Sequence, residues 1–112
     1  MAKIAFWITA GPELADKALA NLVMAERLKK NRGQEVEVYF FGPGVKLAGE
    51  AQGKVREAID ALKAAEVPLR ACPAIADQYG VTARMSEDGI VMEPAGQVLV
   101  RLVEEGYEVV GV

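Results

Sequence analysis

The run Ile4-Ala5-Phe6-Trp7-Ile8 is apolar at every position. Successive side chains of a strand point to opposite faces, so an uninterrupted apolar strand needs cover on both of them. A parallel sheet held between helices meets that demand; an antiparallel sheet with one wet face does not. Further apolar runs at residues 36–41, 67–71, 90–92 and 107–112 alternate with segments of helical period. Gly11-Pro12 ends the first run, and a helix follows to about Lys30. Its rows Leu14, Ala18, Leu22 and Ala15, Leu19, Val23 lie side by side, and Gly33 suits its stop. A helix over 53–65 turns Val55, Ala58, Ile59 and Leu62 inward. A short one over 73–79 has Pro73 in its first turn and Gly80 at its end. A last helix over 94–104 is expected to bury Val98, Leu99, Leu102 and Val103 and to stop at Gly106. Residues 81–88 show no clear period and are expected to be irregular, with at most one helical turn.

Strands alternating with helices imply right-handed crossovers and a five-stranded parallel sheet, an α/β three-layer sandwich. At 112 residues, 1–112 reads as one domain. In such sheets ligands and reactive groups gather beyond the carboxyl ends of the strands. Residues 9–12, 42–44, Cys72-Pro73 and Glu93-Pro94 are expected to share that rim.

The chemistry available there is narrow. The chain has no histidine and one cysteine, Cys72. That excludes an internal disulfide and a cysteine-built zinc cage, and no carboxylate triad has metal-ligand spacing, so no metal or cofactor is expected. A net charge of −3, spread without blocks, argues against nucleic-acid binding by phosphate neutralisation. The first apolar run is too short for a secretory signal or a membrane span, so no membrane partner is expected and the cytoplasm is the default compartment, where a lone thiol stays reduced.

Cys72 falls where Val67-Pro68-Leu69-Arg70-Ala71 runs into the helix opening at Pro73. A thiol there is expected to face unpaired backbone N–H groups and the positive end of the helix dipole, which favour the thiolate. Arg70, two residues earlier, would share its face and could stabilise a thiolate or persulfide anion. The other reading is a small buried hydrophobe, since free cysteine is among the most buried residue types. Gly42-Pro43-Gly44 fits neither a Walker motif nor a dinucleotide fingerprint. Its amides could cradle an anion, but a tight turn is the plainer reading. Gly11-Pro12-Glu13 could line the same site or simply start a helix. Lys46 could meet an anionic donor or be a solvated lysine. Trp7 beside Tyr39, Phe40 and Phe41 reads as core, with Trp7 a candidate anchor for a subunit interface.

The sequence resembles the DsrE/DsrF-like family of small sulfur-relay proteins over almost its whole length. Four pieces carry the likeness, in order and at the right spacing: Gly11-Pro12-Glu13 with Lys17-Ala18, Phe41-Gly42-Pro43-Gly44-Val45-Lys46-Leu47, the stretch from Val67 to Cys72 with Gly80 beyond, and Ala95-Gly96 through Leu99 to Gly106-Tyr107-Glu108-Val109-Val110. The resemblance implies a flavodoxin-like architecture, a cytoplasmic protein and assembly into homotrimers or homohexamers. In sulfur-transferring members the cysteine after the third strand carries sulfur as a persulfide between donor and acceptor proteins, and Cys72 matches that position. No second cysteine lies near Gly80, which excludes an intramolecular resolving step. The expected function is a persulfide carrier with Cys72 as its reactive residue and Arg70, Gly11, Gly42, Gly44 and Lys46 around the donor. The alternative is a non-catalytic oligomeric domain that binds a small ligand or a protein partner.

Overall fold

The structure, a computed structural model, describes residues 1–112. Five strands form one parallel sheet: β1 Lys3–Ile8, β2 Glu35–Phe40, β3 Leu69–Ala71, β4 Val91–Met92 and β5 Glu108–Gly111, in the spatial order β4-β3-β2-β1-β5. The chain steps outward from β1 to β4 and then returns to the far side of β1. Right-handed crossovers in one direction stack their helices on one face, and the single return crossover puts its helix on the other. The first face carries α1 Ala15–Lys30, α2 Pro43–Gly49, α3 Gly53–Ala64, α4 Pro73–Tyr79 and α5 Thr82–Glu87. The second carries only α6, Ala95–Glu104. This is the expected α/β sandwich of three layers, with one layer a single helix thick.

Strand alternation divides the side chains accordingly. Phe6, Ile8, Val36, Val38, Phe40, Leu69 and Ala71 enter the main core with Leu22, Ile59, Leu62 and Met85. Ala5, Tyr39 and Cys72 point the other way, into a smaller core closed by Val98 and Leu102 of α6. Trp7, Phe41, Tyr107 and Val109 pack at its margin. Fully burying one Leu, Val or Phe side chain is worth roughly 1.5–3 kcal/mol, so the larger cluster dominates stability.

Several local expectations are corrected. Gly42-Pro43-Gly44 does not merely turn: Gly42 adopts φ 57 and α2 begins at once, with Pro43 in its first turn. Residues 82–87 form a helix that buries Met85. Leu14 lies in a short 3₁₀ turn, Pro12–Leu14, and is exposed, so its row reaches the core only from Ala18 onward. On α6, Val98 and Leu102 are buried as expected, but Leu99 and Val103 face outward. A helix lying on a flat sheet buries a narrower stripe than one wedged between neighbours, and α6 has no helix beside it in its layer.

Candidate functional site

The rim forms as anticipated. Phe41 N–H donates to Ile8 O at 3.0 Å, Cys72 N–H to Phe40 O at 3.2 Å and Glu93 N–H to Ala71 O at 3.1 Å, which ties the segments after β1, β2, β3 and β4 side by side. Gly11 lies against Pro43, since a Cβ added to it would sit 2.7 Å from Pro43 Cβ. Gly44 is closer still to its neighbour: a Cβ there would lie 2.0 Å from Ile8 O. Its amide donates to Phe41 O at 3.1 Å, so Gly44 serves the packing of α2 on β1 and offers no donor to a ligand. Lys46 belongs to α2 and hence to the main-core layer, on the opposite side of the sheet from the Cys72 side chain.

Cys72 stands at the N-cap of α4 with φ −73 and ψ 118. Its extended backbone continues the alternation of β3, so the side chain turns toward α6 and the aromatic group of β2. The sulfur makes no capping hydrogen bond to the helix, which corrects the expectation that it faces the first-turn N–H groups. The residue is buried, 9% exposed, in the cluster formed by Ala5, Tyr39, Val98 and Leu102, with Phe41, Ile75 and Ala95 at its edge.

Tyr39 is the polar neighbour of that sulfur. It is fully enclosed, stacks on Trp7 with ring centroids 4.4 Å apart, and its hydroxyl donates to Glu93 O at 2.7 Å. Burial pushes its phenol well above the usual value, and the adjacent Cys72 sulfur and Glu93 carboxylate push it further. Tyr39 therefore stays a neutral hydroxyl next to Cys72.

Arg70 shares the Cys72 face, as the spacing requires, but its guanidinium is engaged elsewhere. It donates to Glu37 at 2.6 Å and pairs with Glu93 at 3.0 Å. Arg101 of α6 reaches the same Glu37 carboxylate at 2.9 and 3.3 Å and pairs with Glu105 at 3.1 Å. Burial alone would raise the Glu37 pKa; the hydrogen bond from Arg101 and the charges of Arg70 and Arg101 outweigh it and hold the carboxyl below its ordinary value. The Arg101 guanidinium is raised in turn, chiefly by Glu37. Tyr107, beside this cluster, is pushed up to about 12 by burial and then by Glu37. No buried side-chain polar atom lacks a partner.

Sequence reasoning singled out Arg70 and placed Glu93 on the rim, but missed Glu37 and Arg101. One signal was present: Glu37 interrupts an apolar strand, and a carboxylate there needs a cation. The surface grooves lie away from Cys72. One of about 390 Å³ runs between α1 and α3, lined by Leu19, Val23, Lys54, Ala58 and Ala61. Another of about 200 Å³ lies among Pro12, Leu47, Ala51 and Val55. No group of three or more acidic or thiol side chains is gathered as metal ligands would be, and no helix is long and apolar enough to cross a membrane.

Solved structures share this fold. A conserved protein of unknown function from Bacteroides thetaiotaomicron superposes with a TM-score of 0.80 at 21% identity, over 96% of this chain and 94% of that one. The ychN protein from E. coli superposes with a TM-score of 0.79 at 16% identity over all of both chains. No protein of curated function matches the sequence. The model of the DsrE/DsrF-like family matches residues 2–111, and the chain belongs to the DsrE/DsrF-like family.

Proposed function

We propose that this protein is a cytoplasmic sulfur carrier that accepts sulfane sulfur on Cys72 and hands it on as a persulfide. The observation that carries this reading is the position of its one thiol, at the carboxyl end of β3 where α4 begins, in a member of a family that includes sulfur-relay proteins. The exchange balances without an oxidant. The Cys72 thiolate attacks the outer sulfur of a donor persulfide, the donor S–S bond breaks, and the donor leaves as a thiolate. The new S–S bond joins that sulfur, with its proton, to Sγ. An acceptor thiolate then attacks the outer sulfur and Cys72 departs as a thiolate. Cys72 gives its proton to solvent before it attacks, and the exchange itself moves no other, which suits a chain without histidine.

The partners of this reading are a donor and an acceptor protein, with Gly11 and Gly42 on the rim nearest the approaching donor and Arg70 fixing the cluster behind Cys72. Assembly into a homotrimer or homohexamer belongs to the same proposal. It is supported by α6, whose outward face exposes Leu99, Val100 and Val103 to 40%, 58% and 63%. Contiguous large apolar residues on a surface mark an interaction site.

The burial of Cys72 favours a second reading, a non-catalytic oligomeric domain in which the thiol only packs. Intact-mass measurement after incubation with a small-molecule persulfide separates the two. The carrier reading expects one added sulfur on the wild-type protein and none on Cys72→Ser. An unmodified wild-type mass sustains the second reading.

A further inference from the structure

Cys72 lies under α6, and a carrier thiol has to be reached. We propose that α6 is a hinged cover over Cys72, latched to the sheet by Arg101 and released locally while the rest of the fold stays intact. The use of such a cover rests on the sulfur-carrier reading; its motion does not.

Three features set α6 apart. The helices of the other layer brace one another, α1 on α3 and α2 on both α4 and α5, whereas α6 lies on the sheet alone. Its apolar grip consists of two buried side chains, Val98 and Leu102, against four on the comparably long α3. The remainder of its hold is polar. Arg101 donates to Glu37 on β2, Arg70 on β3 bridges Glu37 and Glu93, and the Tyr39 hydroxyl donates to Glu93 O just ahead of the helix. When α6 lifts, Arg101, its side chain 28% exposed, regains water, and the buried Glu37 keeps its ion pair with Arg70, so neither charge is left buried and unpaired. The ends permit the motion: Pro94 enters α6 in an extended conformation, φ −56 and ψ 136, and Gly106 leaves it at φ 85. Local opening of this kind is drawn from the least stable element of a fold. Lifting α6 would remove Ala95, Val98 and Leu102 from the Cys72 cluster and leave the main core untouched.

The test is the rate at which iodoacetamide alkylates Cys72 under native conditions, at one protein concentration, in three variants of the full chain. Arg101→Gln unlatches α6 and is expected to speed labelling about fivefold. Gln97→Gly, at an exposed position, weakens the helix itself and is expected to speed it about threefold. Ala20→Gly imposes a propensity cost at least as large at an exposed position of α1, across the sheet, and is expected to lower the urea midpoint without changing the labelling rate. The proposal is overturned if Ala20→Gly speeds labelling as much as the other two, which would mean that the thiol opens only with the whole fold. It is equally overturned if none of the three changes the rate. No sulfur donor enters this measurement, so its failure is distinct from a failure to load persulfide.

Discussion

At position 44 there is room for a hydrogen and nothing more. The carbonyl of Ile8 would meet a Cβ at 2.0 Å, and that carbonyl is fixed by the Phe41 amide. Replacing glycine by alanine inside a helix normally stabilises by about 1 kcal/mol; here the sign reverses, and Gly44→Ala is expected to destabilise by about 3 kcal/mol in urea unfolding. Glu37 is a second residue whose surroundings decide its role. Its folded pKa lies below the ordinary value of 4.5, so the carboxylate contributes stability that is present above that value and is lost as the pH falls through the folded one. Glu37→Gln should therefore flatten the acid limb of a stability–pH curve below about pH 4.5, whereas an unchanged limb would mean that the cluster is electrostatically neutral to folding. The sequence shows that Glu37 needs a partner. It does not show which, because Arg101 arrives only through the return crossover from β4 to β5.

Among the elements, α3 ends on a strained residue. Glu66 takes φ 62, its amide donates to Lys63 O at 2.9 Å, and Val67 N–H closes back on Leu62 O at 3.0 Å. This is a helix stop that glycine fills without a steric penalty, so Glu66→Gly is expected to raise stability by about 1 kcal/mol, read from the urea midpoint. The long elements are visible in the sequence because they carry several turns of periodic apolar residues; the four inward residues of α3 were all identifiable. The short ones are not. The helix α2 opens with Gly42-Pro43-Gly44, whose local chemistry signals a turn, and only its packing against Ile8 makes it a helix. The helix α5 is six residues long and buries one of them, too little for any period to register. The α6 pattern offers five large apolar residues, Val98, Leu99, Val100, Leu102 and Val103, and which two face the sheet depends on there being no second helix beside it.

For the molecule as a whole, the unbroken apolar strand at the start implies a covered parallel sheet and so most of the architecture. It carries no information on how thinly one face is covered, and that thinness defines the candidate site: Cys72, Tyr39 and Trp7 lie beneath a single helix whose outer side is also apolar. If copies of the chain assemble on that outer side, Val103→Glu should lower the mass measured by light scattering toward that of one chain. Because assembly would also hold α6 down, iodoacetamide labelling of Cys72 in the wild type should slow as protein concentration rises, and this dependence should vanish in Val103→Glu. Whether sulfur travels on and off Cys72 is decided by discharge. Protein loaded with sulfur from a small-molecule persulfide is mixed with excess cysteine and followed by intact mass. A carrier loses the added sulfur mass while cysteine persulfide appears in equal amount, one per chain. Sulfur that stays on the protein, or that loads equally on Cys72→Ser, would contradict the carrier reading.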